Sequence, residues 1–238
     1  MHVRCVGAGD VTVVLVSGFL DNGDKWSAVT PTLSRRARVC AYARFGDGTS
    51  DPPPETQTFA TEARDLRTAL HSIDEPGPYV LVGHSFGGAE AVTFTAQFPS
   101  EVVDLVLLDA SPTDWLVASC AVPDDGTPTA QVFRDNCASI SSPGNNAEHL
   151  DGTTAFAEVG AIHSLGNVPM VVITAAEHTY PSLEASEQAR LNRVWDAGQQ
   201  HWMSLSPSAR IVPVDNTGHD IQLDRPDVVL DQIQRLLP

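Results

Sequence analysis

The chain has 238 residues, of which 42% are hydrophobic and 18% charged, a balance typical of a globular protein that buries a sizeable core. Thirty acidic residues against fourteen basic ones give a net charge of −16, and a surface of that sign repels phosphate backbones, so nucleic acid is not expected as a partner. No apolar run approaches the roughly 18 residues of a membrane-spanning helix, so no membrane span is expected.

Four cysteines, at positions 5, 40, 120 and 137, show no CxxC spacing and no cysteine–histidine spacing typical of a metal site. Their even number in a polar, acidic chain predicts disulfide bonds and a secreted protein, with free thiols and a cytoplasmic location as the alternative. Of the three pairings, Cys5 with Cys40 and Cys120 with Cys137 is favoured, because the second bond then closes one local loop. The longest apolar run, VTVVLVSGFL, lacks the positively charged leader of a signal peptide.

Strand-like runs alternate with helical patterns along the chain. Several of the runs are continuous in Val, Leu and Ile, as expected of strands that are covered on both faces. The alternation predicts one α/β domain over residues 1–238, with a mostly parallel sheet and helices on both faces. Strands are expected at 11–16, 37–42, 79–82, 105–108, 170–174 and 211–214, and helices at 59–73, 187–205 and 227–237.

One long segment, residues 111–167, interrupts this alternation. It contains two of the cysteines, the turn-forming run SSPGNN and only weak helical patterns. A segment of this length between two core strands is typically functional, so it is predicted to be a lid or cap over a site. We call residues 111–167 the insertion segment.

The pentapeptide GHSFG, residues 83–87, fits the motif G-x-S-x-G. An apolar strand precedes it and the helix-forming run AEAVTFTAQF follows it closely. In a sharp strand-to-helix turn of this kind the serine hydroxyl stands clear of the backbone, and the glycines let strand and helix pack closely. The motif in this context predicts that Ser85 is a nucleophile.

The chain resembles the α/β-hydrolase family over nearly its whole length, with a likeness to secreted actinobacterial esterase-like members. Four segments carry the resemblance. YARFGDGTSDPPP resembles the family's region after the second parallel strand, and GPYVLVGHSFGG resembles its nucleophile turn. PSEVVDLVLLDASP resembles its next strand, and NTGHDIQLDRPDVVLDQI its histidine loop with the last helix. The resemblance implies the α/β-hydrolase fold with a small lid and a hydrolase that needs no cofactor.

The resemblance also implies a general base at His219, in the loop after the last strand. The chemistry requires such a base, since a serine hydroxyl is a poor nucleophile until an imidazole takes its proton. His178, which follows a predicted core strand, is the only serious rival, and His84 is expected to point away from Ser85. The remaining histidines are assigned to predicted helices, the chain terminus or the insertion segment: His2, His71, His149, His163 and His201.

The acid of the triad is less clearly encoded. In most of the family it follows the strand that corresponds to PMVVIT, but here that segment continues as TAAEHTY, with His178 where aspartate is expected. Asp109 is favoured, because it ends the strand after the nucleophile strand, where some members, haloalkane dehalogenases among them, carry their acid. Glu177 is the alternative, whereas Asp215 and Asp220 are expected to be loop or surface charges.

An oxyanion site needs two backbone N–H groups close to the developing charge. One is expected from Phe86, directly after the nucleophile, and the other from Phe19 in the loop after the first core strand. That loop has Ser17-Gly18 where the family usually has His-Gly, but a backbone donor does not depend on the lost side chain. The pocket wall is expected to include Leu20, Trp115, Phe133 and Tyr180.

These elements predict a serine hydrolase that cleaves a small-molecule ester. Lactone or amide cleavage and a haloperoxidase-like perhydrolysis are alternatives, as is a non-catalytic small-molecule binder on a hydrolase scaffold. No Walker or Rossmann glycine pattern is present, and no metal is expected. The resemblance does not identify the substrate.

Overall fold

The computed structural model describes all 238 residues and contains one seven-stranded sheet, with the strand order β1-β3-β2-β4-β5-β6-β7. Strand β1 pairs antiparallel with β3 at one edge, and all the other neighbours are parallel. The strands are β1 His2–Val6, β2 Thr12–Val16, β3 Arg38–Ala43, β4 Tyr79–His84, β5 Val102–Leu108, β6 Met170–Ala175 and β7 Ala209–Val214.

The six predicted strands are confirmed, with ends that differ by up to three residues. Strand β1 was not predicted, because its short sequence HVRCV carries an arginine and lies partly exposed at the sheet edge. The mostly parallel sheet predicted from the alternation of strands and helices is therefore correct, with one antiparallel edge added.

Nine α-helices accompany the strands, seven of them between strands and the last two after β7. The predicted helices at 59–73, 187–205 and 227–237 correspond to α2, α7 and α9, each with ends within a few residues of the prediction. The helices are α1 Thr30–Leu33, α2 Phe59–Ser72, α3 Phe86–Gln97, α4 Trp115–Cys120, α5 Pro128–Ile140, α6 Gly152–Gly160, α7 Ala185–Ser204, α8 Ile221–Asp224 and α9 Pro226–Gln234.

Both faces of the sheet are covered, and β4 shows how. Tyr79 and Leu81 belong to the core cluster on the side of α2, α3 and α7, whereas Val80 and Val82 belong to the cluster on the side of α1 and α9. Successive side chains of a strand point to opposite faces, so a strand covered on both sides must be apolar at every position. This requirement explains the continuous apolar runs in the sequence.

The insertion segment lies between β5 and β6 and contains α4, α5 and α6, so it is more helical than its weak patterns predicted. The structure joins Cys120 to Cys137, which ties α4 to α5, and Cys5 to Cys40, which lie opposite each other on β1 and β3. Both favoured pairings are thus present. None of the helices combines the length and the apolar character that crossing a membrane requires.

Candidate active site

Ser85 occupies the sharp turn between β4 and α3. Its φ of 55° and ψ of −124° lie outside the regions that ordinary L-residues favour, and its side chain is 9% exposed. The turn depends on close backbone packing: a Cβ added at Gly83 would lie 2.3 Å from the carbonyl oxygen of Gly87, and one at Gly87 would lie 2.3 Å from that of Ser17. The motif therefore forms the turn that its sequence predicts.

Asp109 lies at the end of β5 with its carboxylate fully buried. Its Oδ1 atom accepts three hydrogen bonds, from the hydroxyl of Thr174 at 3.0 Å, the backbone N–H of Ala175 at 3.1 Å and the indole N–H of Trp195 at 3.0 Å. These donors come from β6 and α7, the neighbouring strand and the helix that packs on it. These three hydrogen bonds hold one side of the carboxylate independently of the two histidines.

The other oxygen of Asp109 contacts two histidines. Its Oδ2 atom lies 2.7 Å from Nδ1 of His219 and also 2.7 Å from Nε2 of His178. Burial alone would raise the pKa of Asp109, but the hydrogen bonds from His178 and His219 outweigh it and hold that pKa well below its ordinary value. Glu177, the alternative acid, is exposed and has no hydrogen bond or ion pair with either ring.

The loop that carries His219 is held by groups on both sides of it. Nε2 of His84 lies 3.0 Å from the carbonyl oxygen of His219, and the N–H of Gly218 donates to Asp224 at 2.8 Å. Burial and the neighbouring His219 lower the pKa of His84 to about 3, so this ring is neutral and can donate to the carbonyl. His84 was expected only to point away from Ser85, and its contact with the histidine loop was not predicted from the sequence.

Ser85 and His219 line the same pocket but are not hydrogen-bonded to each other in this structure. The hydroxyl of Ser85 instead lies 3.3 Å from that of Ser111. Hydrogen bonds of catalytic groups are often long without substrate and tighten when substrate binds, so this geometry is compatible with a Ser85–His219 hydrogen bond in the substrate complex. The ring of His219 is 39% exposed, and with Nδ1 on Asp109 its Nε2 atom is the nitrogen not held by the acid.

The pocket has a volume of about 470 Å³ and is lined by 21 residues, including both histidines that contact Asp109. Part of its wall is aromatic, with Trp115 packed against Trp195 at 4.8 Å between ring centroids. A second cavity of about 490 Å³, at the β1–β3 edge, contains none of the candidate catalytic side chains. The candidate pocket includes the four residues expected in its wall and the two expected oxyanion donors: Leu20, Trp115, Phe133 and Tyr180, with Phe19 and Phe86.

The loop after β2, residues 17–20, is held by two buried side chains that the sequence analysis did not identify. The guanidinium of Arg44 donates to the carbonyl oxygens of Gly18 at 2.8 Å and Ser17 at 2.5 Å. The carboxylate of Glu148, in the insertion segment, accepts the backbone N–H of Leu20 at 2.8 Å. We call residues 17–20 the oxyanion loop, because they include Phe19, which is expected to be an oxyanion donor.

The two expected oxyanion donors lie in different elements, Phe86 in a helix and Phe19 in a loop. Phe86 begins α3, and the first N–H groups of a helix have no carbonyl partner within it. Phe19 lies in the oxyanion loop, and its ring centroid is 5.3 Å from that of Phe86. Both residues line the pocket beside Ser85.

Arg44 is itself surrounded by buried carboxylates. Its Nε atom lies 2.9 Å from Glu90 and 3.5 Å from Glu62, and its Nη1 atom lies 3.5 Å from Glu148. Three glutamates share one guanidinium, so burial outweighs its attraction and raises the pKa of Glu62 to about 8 and that of Glu148 well above the ordinary value. We call Arg44 with Glu62, Glu90 and Glu148 the buried charge cluster.

Two groups of side chains have the composition of metal ligands, but their contacts fit a metal ion poorly. In the first, Asp109 with His178 and His219, each nitrogen lies 2.7 Å from the same oxygen, whereas two ligands of a tetrahedral zinc ion are about 3.3 Å apart. In the second, Asp21 with His84 and Asp220, the ammonium of Lys25 already lies 3.2 Å from Asp220. Hydrogen bonds and an ion pair account for both groups.

Comparisons with known proteins agree with this architecture. The family model of the α/β hydrolase fold matches residues 11–127. The uncharacterized protein YqjL of Bacillus subtilis is 22% identical over 227 residues, which cover 94% of this chain and 82% of YqjL. Lipase LipV of Mycobacterium tuberculosis is 31% identical over 159 residues, which cover 66% of this chain and 53% of the lipase. Among solved structures, Est816, described as an N-acyl homoserine lactone degrading enzyme, superimposes with a TM-score of 0.74 at 20% identity, covering 99% of this chain and 96% of Est816.

Proposed function

Since the chain belongs to the proteins of the α/β-hydrolase fold, we propose that it is a serine hydrolase that cleaves a small-molecule carboxylic ester through an acyl-enzyme intermediate. One observation carries the proposal: Ser85, on its strained turn, lines the same pocket as His219, whose ring is anchored to the buried carboxylate of Asp109. The similarity to lipase LipV supports an ester as the substrate.

In the proposed reaction, Oγ of Ser85 attacks the carbonyl carbon while Nε2 of His219 takes its proton. The N–H groups of Phe19 and Phe86 stabilise the negative oxygen of the tetrahedral intermediate. The intermediate collapses as His219 returns the proton to the leaving alcohol, which leaves an acyl group on Ser85. A water molecule, deprotonated by His219, then attacks this acyl group. The bond between the acyl carbon and Oγ breaks, His219 returns the proton to Oγ of Ser85, and the carboxylic acid departs.

The contacts of Asp109 suit this role. Because its pKa is held well below the ordinary value, the carboxylate is ionised throughout the neutral range and accepts a hydrogen bond from the N–H at Nδ1 of His219. That hydrogen bond leaves the lone pair of the ring on Nε2, where the proposed reaction needs a base. The exposed Glu177 has no comparable contact.

The aromatic wall of the pocket supports an apolar acyl or alcohol group in the substrate. Trp115, Phe133 and Tyr180 pack together, with centroid separations of 5.6–6.2 Å. A pocket of about 470 Å³ is within the usual range for small-molecule sites. The two disulfide bonds support secretion, which we include in the proposal.

The proposal is tested by replacing Ser85 with alanine. We expect Ser85→Ala to abolish both the hydrolysis of short p-nitrophenyl esters and covalent labelling by a fluorophosphonate. Ser111→Ala is the matched control, because its hydroxyl lies 3.3 Å from that of Ser85, and this variant should still be labelled. Undiminished hydrolysis by Ser85→Ala would refute the mechanism.

Lactone cleavage is a second candidate, favoured by the superposition on Est816. It would use the same nucleophile and base, and the leaving alcohol would stay attached to the acyl group. Rates for an N-acyl homoserine lactone and for a linear ester of the same acyl chain, measured on one preparation, distinguish the two. A kcat/KM higher for the lactone would favour it.

A further inference from the structure

We infer that His178 is a positioning residue for the proposed reaction. It fixes Asp109 by donating to the carboxylate oxygen that also binds His219. Because the two rings share that oxygen, His178 also weakens the stabilisation that Asp109 gives to the protonated base. The inference rests on the proposed function, since it concerns the same base. Its carrying observation is that one oxygen, Oδ2 of Asp109, lies 2.7 Å from both rings.

The loop that carries His178 is tied to a neighbouring helix. The backbone N–H of His178 donates to the side chain of Asn192 at 3.1 Å, and its carbonyl oxygen accepts from the same amide at 2.9 Å. The imidazole packs on Trp195, with 4.6 Å between ring centroids, and is only 8% exposed. The ring is therefore held in place independently of its bond to Asp109.

Together with His178, the surroundings saturate the carboxylate of Asp109. Five donors reach it, three on Oδ1 and two on Oδ2, whereas a carboxylate offers about four lone-pair sites. A group held from this many sides cannot rotate away from His219 without breaking several buried hydrogen bonds. The first expected effect of His178 is therefore on the orientation of the acid and the base.

The second expected effect is electrostatic. An N–H donor on Oδ2 draws charge from the oxygen that stabilises His219 when the base becomes protonated. Without His178, Asp109 should stabilise the protonated base more strongly, so the base should take up its proton at a higher pH. The other titratable groups around His219 are present in either case: His84 from β4, Asp220 and Asp224 of its own segment, and Asp21 and Lys25 after β2.

Two substitutions separate these effects from a general loss of structure. His178→Ala removes the donor, whereas His178→Gln keeps an N–H group that can reach Oδ2. We expect His178→Ala to lower kcat about tenfold and to shift the acidic limb of the kcat/KM profile up by roughly half a pH unit to one unit. His178→Gln should restore most of both, and His163→Ala, which removes an exposed histidine elsewhere, should change neither.

A readout without turnover keeps the inference separate from the proposed activity. Two imidazole N–H protons bound to Asp109 should give two strongly deshielded proton resonances in the intact protein. His178→Ala should lose one of them, and Asp109→Asn should lose both. A wild-type protein that cleaves no ester would refute the proposed function, whereas these resonances test His178 regardless.

An unchanged pH profile in His178→Ala, or an unchanged pair of resonances, would overturn the inference. The same holds if His178→Gln behaves like His178→Ala in both kcat and the pH profile, because a role in packing alone does not require the N–H donor. Support needs the shifted limb, the loss of one resonance and the recovery with glutamine together.

Discussion

Glu148 accepts a hydrogen bond from the backbone N–H of Leu20 at 2.8 Å, although 128 residues separate them in the chain. One belongs to the insertion segment and the other to the oxyanion loop, next to the proposed donor Phe19. Because Glu148 and Leu20 are hydrogen-bonded directly, the insertion segment holds the oxyanion loop in addition to contributing residues to the pocket. This contact and those of Arg44 together hold the loop at its two ends.

Removing this contact should reduce the proposed catalysis. We expect Glu148→Ala to lower kcat about tenfold with little change in KM, since a buried hydrogen bond of about 1–2 kcal/mol is lost beside an oxyanion donor. Glu148→Gln keeps an oxygen acceptor and should retain most of the rate. Steady-state kinetics on a p-nitrophenyl ester measure both, and a normal kcat in Glu148→Ala would mean that the loop needs no such support.

The acid is tested by a pair of substitutions. Asp109→Asn should lower kcat by roughly 10³–10⁴, because a neutral amide neither selects the tautomer of His219 nor stabilises its protonated form. Glu177→Gln is the matched control and should leave the rate near normal, since the exposed Glu177 contacts neither histidine. Circular dichroism spectra check that both variants fold. The reverse order of effects would assign the acid to Glu177.

The fold follows from local patterns to a large extent. Strand β4 could be predicted because burial on both faces requires apolar residues throughout, and the same requirement applies to β6 and to residues 105–108 of β5. Strand β1 escaped prediction because an edge strand paired on one side needs no such run. Propensity alone understated the helices of the insertion segment, which are supported by packing and by the Cys120–Cys137 bond.

The candidate site divides in the same way. Ser85 and Asp109 could be proposed from the sequence, because each lies at the end of a recognisable strand. The contact between His178 and Asp109 could not, since it joins residues 69 positions apart across two strands. Arg44 and Glu148 were missed for the same reason: a buried charge is recognised by its partners, which no local spacing reveals. The one signal in the sequence for the role of His178 was its position, where the family usually has aspartate.

The buried charge cluster should make stability depend on pH. The pKa of Glu62 is raised from 4.5 to about 8 in the folded protein, so the folded state keeps a proton that the unfolded chain releases near 4.5. The contribution of Glu62 is therefore fully present below pH 4.5 and is lost as the pH rises toward and through 8. We expect the free energy of unfolding from urea denaturation to fall between pH 5 and about 9.

A matched pair of variants isolates this effect. Glu62→Gln removes one of the two glutamates whose pKa is raised and should make the decline shallower, with Glu148 contributing the rest, whereas Glu55→Gln, at an exposed position nearby in the chain, should leave it unchanged. The low pKa of Asp109 acts in the opposite direction, and its contribution is lost only on acidification. A decline as steep in Glu62→Gln as in the wild type would assign it to other groups.

The disulfide within the insertion segment should stabilise the pocket wall as well as the fold. Cys120 and Cys137 are separated by 17 positions, and closing a loop of this size in the unfolded chain contributes about 3 kcal/mol. Because the bond ties α4 to α5, which supply Trp115 and Phe133 to the pocket, replacing both cysteines by serine should lower Tm and raise KM together.

The other disulfide provides the comparison. Cys5 and Cys40 join β1 to β3 at the sheet edge and do not line the candidate pocket. Replacing both by serine should therefore lower Tm with little change in KM, because the sheet edge loosens while α4 and α5 stay tied. Thermal unfolding and ester kinetics on the two double variants measure this difference. Equal effects on KM would show that the Cys120–Cys137 bond acts on global stability alone and does not shape the pocket.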